Sequence, residues 1–343
     1  MAQSDNSINV ESVGQPSLAE HDSSVLDLAF AMDCTGSMGS YIAAAKDSIW
    51  NICEEIVASE KSDIKLSLVE YRDHPPQDKS FVTRTHDFVS SIGEMKKWLS
   101  QSAASGGGDA PEAVTDALHQ LLKLNWREKS TKICIMISDA PPHGLGSHGD
   151  GFPGGCPDGL DPINITRELA QKGITLYTVG CGSLAVKCRD FFMTIAHITG
   201  GQFIPLANAR LLAKVIIGSA QEQISLEKLQ GKVDDVVKQA TDNGKKEISD
   251  DILAGKIEEA LGHATTAQCR WGGQNYQAPR HCQALSEVSS LAAYNSDYKT
   301  TDYDDLGDKL AVVDESYAVE KLSINQAQCK RMAKKSKFSL FKS

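Results

Sequence analysis

Five consecutive residues, Asp33-Cys34-Thr35-Gly36-Ser37, place one carboxylate and two hydroxyls at alternate positions directly after an apolar run. Where the backbone turns tightly, as Gly36 and Gly39 permit, three such oxygens converge on one point. Hard divalent cations take oxygen ligands, and Mg²⁺ demands near-octahedral geometry while keeping part of its water shell. The run therefore offers part of a cation site and leaves positions for other loops and for an outside ligand. The competing use of the same residue types is helix capping, which Ser, Thr and Asp perform often.

Other chemistry-bearing residues are less organised. His143 and His148, with Cys156 downstream, match no zinc-finger spacing. Asp150 and Asp158 lie in a Gly-rich loop without the twelve-residue calcium-loop pattern. A metal beside His143 would suit hydrolysis, but no nucleophile–base pair stands out. Ser138 lacks the flanking glycines of a nucleophile elbow, and Gly180-Cys181-Gly182 has no evident partner. Ser105-Gly106-Gly107-Gly108 lacks the Gly-Lys-Ser/Thr ending of a phosphate-cradling loop. The residues point away from an enzyme.

The elements that must position these residues alternate. Val25–Met32 reads as a central strand, apolar on both faces. Ile42, Ala45, Ile49, Ile52 and Ile56 then recur at helical spacing. Ile64–Tyr71 and Phe81–Val89 read as a hairpin around Arg72-Asp73-His74-Pro75-Pro76, and Ile92–Leu99 as a short helix. Pro111 is placed as the first residue of a helix running to about Leu124. Strand Lys132–Ser138, helix Ile163–Lys172, strand Thr175–Gly180, helix Arg189–Thr199, strand Gln202–Pro205 and a helix from Leu211 to about Leu229 complete the series. This order predicts an α/β, doubly wound, mostly parallel six-stranded sheet with one antiparallel edge strand. Ligands of such sheets bind outside the carboxyl ends of the strands, where strand order reverses. That rule selects the loops after Met32, Ser105 and Ser138.

On these elements, Asp33-x-Thr35-x-Ser37 resembles the metal-ion-dependent adhesion site of von Willebrand factor A domains, with Thr35 in place of the usual first Ser. The resemblance implies two further contributors. The loop Gly106-Gly107-Gly108-Asp109-Ala110-Pro111-Glu112 puts Asp109 at the position of the family's middle-loop Thr, with Thr115 as the alternative. Ile133-Cys134-Ile135-Met136-Ile137-Ser138-Asp139 supplies Asp139. Asp73 and His74, on the hairpin turn at the same end of the sheet, and His143, on the loop after Asp139, are candidate rim residues by position. The resemblance covers roughly residues 24–230. The runs Gly-Gly-Gly-Asp-x-Pro-Glu and Ser138-Asp139-Ala140-Pro141-Pro142-His143-Gly144 are similar to the A domains of slime-mould-type alpha-kinases, although no kinase domain is visible. It implies Mg²⁺, or Mn²⁺ or Ca²⁺, holding a protein partner through an acidic side chain, with the domain's last helix reporting occupancy. A carboxylate at Asp109 would strengthen cation binding and weaken the hold on an acidic partner.

A formal net charge of -10 argues against non-specific nucleic-acid binding, which needs clustered Lys and Arg. Apolar runs are far short of the roughly 20 residues of a membrane span. Nine cysteines without a CxxC pair predict reduced thiols, and Met1–Asn6 lacks secretory-signal character, so a cytoplasmic location is expected. Residues 1–23 are expected to be a disordered leader, and 231–343 a helical, partly disordered region. That region ends in a basic tail, Cys329–Ser343, that could touch acidic lipids or an import receptor. The rival reading is a regulatory scaffold in which the metal is structural and the C-terminal region recruits the partner.

Overall fold

The structure is a computed structural model that describes residues 22–60, 63–271, 274–275, 277–298 and 317–341. The chain alternates β1 (Asp22–Asp33), α1 (Gly39–Glu60), β2 (Asp63–Tyr71), β3 (Thr83–Val89), α2 (Ile92–Gln101), α3 (Val114–Lys123), β4 (Ser130–Ser138), α4 (Pro162–Gln171), β5 (Ile174–Cys181), α5 (Val186–Ile198), β6 (Phe203–Leu206) and α6 (Leu212–Ala240). Six strands form one sheet in the order β3-β2-β1-β4-β5-β6. All neighbours are parallel except β2 and β3, the antiparallel edge that the hairpin reading predicts.

The period-two pleat of β1 sorts its side chains between two cores. Leu26, Leu28, Phe30 and Met32 face α1, α2 and α6, where they meet Ile49, Ile52, Met95 and Ile216. Ala29 and Ala31 face the opposite layer, where Val114, Leu118, Leu121, Ile163, Leu169, Phe191 and Ile195 of α3, α4 and α5 gather. Both faces of the central strands are thus covered, which is why β4 reads as an unbroken apolar run rather than an alternating one. Chain order reverses between β1 and β4. Their register pairs Met32 with Ile137, so the carboxyl ends of the two strands emerge side by side.

Several expected boundaries move. β1 begins at Asp22, inside the expected leader, while residues 1–21 lie outside the described residues. Pro111 does not open α3. The helix starts at Val114, because the preceding segment runs as a bridge in which Glu112 N–H donates to Pro141 O at 2.9 Å.

The C-terminal part holds α7 (Asp250–Leu261), β7 (Thr265–Trp271), β8 (Gln274–Asn275), α8 (Arg280–Leu285), α9 (Leu291–Tyr298), β9 (Tyr317–Ser323) and α10 (Gln326–Leu340). α6 continues unbroken through residue 230 to Ala240. Strands β8-β7-β9 form a small antiparallel sheet against α6. Gly218 of α6 permits that approach: a Cβ there would lie 2.2 Å from the Tyr317 hydroxyl. The basic segment expected as a solvated tail is instead helix α10, packed along α6 and α7 and started by an Asn325–Gln328 capping box. The cations of α10 are spoken for, while Lys342 of the expected tail lies outside the described residues. Arg331 pairs with Glu222 at 2.9 Å, Lys335 with Glu227 at 2.7 Å and Lys337 with Asp250 at 2.6 Å, while Lys334 pairs with Glu287 and Lys330 with Asp251. Charges consumed in this way are not a free patch for lipid or receptor.

Candidate metal centre

Three chain segments meet at the carboxyl ends of β1 and β4. Asp33 ends β1 and is fully buried. Its Oδ1 accepts from the Thr35 amide at 2.9 Å and from the Thr35 hydroxyl at 2.6 Å, and its Oδ2 accepts from the Ser138 hydroxyl at 3.2 Å. Thr35 Oγ1 lies 3.4 Å from Ser37 Oγ, on a short 3₁₀ turn that leads into α1. The Gly-rich loop is laced to this turn: Gly36 N–H donates to Gly106 O and Ser105 N–H to Cys34 O. Arg72, at the end of β2, fixes the arrangement from behind. Its guanidinium donates to Cys34 O at 3.1 Å, Ser80 Oγ at 2.7 Å and Ala103 O at 2.8 Å.

The centre is dense in carboxylates. Burial, with the nearby charge of Asp139, pushes Asp33 up to about 7 against the pull of its bonds from Thr35 and Ser138. Glu112 is pushed to about 10, by burial first and then by the charges of Asp33, Asp73, Asp109 and Asp139. Glu112 reaches the first loop: a Cβ on Gly107 would meet Glu112 Oε1 at 2.8 Å and Thr35 Cβ at 3.5 Å. Asp109 is also raised by burial and by Asp73, while its bond from Gly151 N–H (2.6 Å) and the nearness of His143 act the other way. Three buried carboxylate oxygens, Glu112 Oε2, Asp73 Oδ2 and Asp109 Oδ1, have no hydrogen-bond partner. Buried acceptors normally have one.

The sequence-selected residues therefore fall into two adjoining sets, with others outside both. Asp33, Thr35, Ser37 and Asp139 surround the end of β1. Asp109 groups instead with Asp73 and His143, their ligand atoms within 4.8 Å of one another. His143 sits between two carboxylates, with Nε2 2.6 Å from Asp73 Oδ1 and Nδ1 2.8 Å from Asp150 Oδ1. Those bonds outweigh burial and raise its pKa. His74 turns away to Asp116, at 2.9 Å. Thr115 is buried in α3 with its hydroxyl unpartnered. His148 and Asp158 are exposed and join neither set.

Sequence reasoning passed over Glu112 and Arg72. Glu112 stood inside the Gly-rich run already singled out, and an acid two residues before an apolar helix start was the available signal. Nothing local to Arg72 announces its role, since its three acceptors lie on distant or non-adjacent segments.

The von Willebrand factor A domain family model matches residues 27–145. Alpha-protein kinase vwkA of Dictyostelium discoideum is 32% identical over 158 residues, 45% of this chain and 25% of its own length. A putative ariadne-like RING finger protein of Acanthamoeba polyphaga mimivirus is 28% identical over 201 residues, 56% of this chain and 20% of its own. The chain thus corresponds to a quarter or less of either relative. Among solved structures, a von Willebrand factor type A protein from Catenulispora acidiphila aligns over 59% of this chain and 43% of its own, at 15% identity and a TM-score of 0.43. The pilus adhesin SpaC from Lactobacillus rhamnosus GG aligns over 58% and 30%, at 12% identity and a TM-score of 0.44. With the sheet order, the Asp33–Ser37 turn and the family match in agreement, the chain contains a von Willebrand factor A domain.

Proposed function

We propose that this domain is a protein-binding module whose binding surface is organised by one divalent cation, Mg²⁺ or a cation that replaces it. Asp33, Thr35, Ser37, Glu112 and Asp139 would hold the ion, with Asp109, Asp73 and His143 at the rim. Glu112 takes the middle-loop place that Asp109 holds by sequence position, because Asp109 is engaged by the Gly151 amide and grouped with His143. The observation that carries the reading is a buried carboxylate oxygen without a donor, Glu112 Oε2, beside Asp33 and the Thr35–Ser37 hydroxyl pair. Desolvated like charges are costly unless a cation neutralises them, and a hard cation prefers an all-oxygen set. When bound, the ion would supply charge neutralisation and an exchangeable position for a partner's oxygen. No catalytic role is proposed. Nine buried cysteines, none in a disulfide, are consistent with a cytoplasmic setting, as we also propose.

The acidity of the same site favours a second reading, in which the ion is structural and a partner docks elsewhere. Three carboxylates on one divalent ion leave no net positive charge to attract an acidic partner. Thermal unfolding in EDTA, then in Mg²⁺, Mn²⁺ or Ca²⁺, beside Ser37→Ala, tests the site itself. A ligand bound only by the folded state at 100 times its Kd adds about 2.7 kcal/mol. A cation-dependent rise in Tm that the variant lacks supports the centre, and no rise with any cation sinks it. Partner capture that survives chelation favours the structural ion.

A further inference from the structure

Outside that centre, three ligand-type side chains from three segments converge behind the rim. His74 comes from the turn after β2, Asp116 from the first turn of α3, and Cys156 from the long loop after β4; all are buried. His74 Nε2 lies 2.9 Å from Asp116 Oδ2, Cys156 Sγ 3.4 Å from the same oxygen and 4.0 Å from His74 Nε2. We propose that His74 Nε2, Asp116 Oδ2 and Cys156 Sγ form a second metal site, selective for Zn²⁺, that pins the loop after β4 to the body of the domain.

Geometry and donor chemistry both support it. Tetrahedral zinc with Zn–S of about 2.3 Å and Zn–N or Zn–O of about 2.0–2.2 Å separates its ligand atoms by roughly 3.3–3.6 Å. The observed triangle brackets that range, so an ion fits after shifts of about half an ångström. A thiolate, an imidazole and one carboxylate form a borderline-soft set that suits zinc, whereas the oxygen-only centre beside it suits Mg²⁺. The two sites would thus sort two ions without competing. Binding requires the Cys156 thiol and the His74 Nε2–H, which its contact with Asp116 keeps protonated against burial, to release their protons to solvent as the S–Zn and N–Zn bonds form; no electron is transferred. Without the ion, the thiol donates to Asp116 and the triad is held by hydrogen bonds, so the ligands are already placed.

The location gives the site its purpose. The segment from Asp139 to Asp161 contains no helix or strand, yet it carries His143 and Asp150 to the rim. Phe152 packs edge-on against both His74 (5.6 Å between centroids) and His143 (5.0 Å). Asp73, adjacent to His74 in sequence, accepts both the His74 amide and the His143 ring. An ion on Cys156 and His74 fixes the loop and the Asp73 turn in one step. The other His–Cys–Asp group, Asp190–His281–Cys282, is a weaker candidate, because Tyr298 and Arg189 already occupy the Asp190 oxygens at 3.1 and 3.3 Å. Three protein ligands leave one coordination position for water.

The experiment is cobalt titration of the purified full chain, because Co²⁺ bound to a thiolate gives a sulfur-to-metal absorption in the near ultraviolet that oxygen and nitrogen ligands do not. The wild-type protein and the Cys282→Ser and Ser37→Ala variants should show the band at one equivalent, and Cys156→Ser should lose it. A wild-type protein saturated with Co²⁺ but lacking the band, or a band unchanged in Cys156→Ser, overturns the proposal. Should Cys156→Ser fail to fold, zinc-edge X-ray absorption of the zinc-loaded Cys282→Ser protein decides. One sulfur in the coordination shell supports the site and none overturns it. Because Ser37→Ala disables only the other centre, failure of one site is distinguishable from failure of the other.

Discussion

The Thr35 hydroxyl donates its only hydrogen to Asp33 Oδ1, across 2.6 Å. This bond decides which way the oxygen's lone pairs face, since the proton is committed to the buried carboxylate. A hydroxyl so oriented is an acceptor toward anything at the loop, Ser37 Oγ included, and suits a cation better than it suits a substrate. Thr35→Ser keeps that geometry, whereas Thr35→Val keeps the shape and removes the oxygen. Thr35→Ser should therefore retain the Mg²⁺-dependent rise in Tm, and Thr35→Val should lose most of it, with Mg²⁺ affinity at least about tenfold weaker, a difference of about 1.4 kcal/mol. Equal responses from the two variants would count against a ligand role for Thr35.

The carboxyl cluster gives the metal-free protein an unusual pH profile. Asp33 is raised from 3.8 to about 7 and Glu112 from 4.5 to about 10, each by burial first and neighbouring charge second. A carboxyl whose folded pKa exceeds its unfolded value keeps its proton in the native state after the unfolded chain has lost it. The native state then binds more protons, so stability falls as pH rises. Both groups contribute between about pH 4 and 7, and Glu112 alone above that. Each retained proton contributes a slope of about 1.4 kcal/mol per pH unit at most. In EDTA, Tm should decline from pH 5 to pH 8; with saturating Mg²⁺ the decline should shrink, because the cation takes over the role of the protons. A flat profile in EDTA would falsify the cluster's assigned ionisation.

Much of this architecture was readable because it rests on local pattern. The even and odd residues of β1 divide between two cores, and a strand covered on both faces must be apolar throughout, so Leu26–Met32 announces itself. Glu112 was harder. Its burial arises where the segment after the glycines bridges to Pro141 and Pro142, about thirty residues on, and the same bridge moves the start of α3 from Pro111 to Val114. The basic helix α10 was misread for a related reason. Five cations in one segment look like a solvated face until acids from other helices, such as Glu222 and Glu227 of α6, are brought against them. The small sheet of β7, β8 and β9 had no periodic signal, since Thr266, Ala267, Gln268 and Cys269 of β7 are all buried, polar and apolar alike.

Gly107 separates backbone strain from site chemistry. It adopts a φ of +79°, as Gly149 does, but a Cβ on Gly107 would strike Glu112 Oε1 at 2.8 Å, while one on Gly149 would meet nothing within 4 Å. Alanine at either position should lower stability by about 1–3 kcal/mol through the left-handed backbone alone. Only Gly107→Ala should also weaken the Mg²⁺ response, by displacing Glu112. Calorimetric titration of both variants checks the contrast, and a normal Mg²⁺ affinity in Gly107→Ala would remove Glu112 from the ligand set.

The contact between Arg331 of α10 and Glu222 of α6 predicts how firmly the C-terminal elements are joined to the domain. Both side chains are buried, 2.9 Å apart, and Arg331 also donates to Gln202 at 2.8 Å, beside β6. Removing one member leaves the other charge buried and uncompensated, which costs about 3–5 kcal/mol, whereas replacing both with apolar groups of similar size is often near neutral. Arg331→Met should accordingly lower stability by that amount, and Arg331→Met with Glu222→Met should recover most of it. Screening reaches buried pairs weakly, so neither value should change much between low salt and 0.5 M NaCl in denaturant titrations. If α10 were instead a loosely attached tail, Arg331→Met would leave the unfolding midpoint almost unchanged, and the double variant would gain nothing over it.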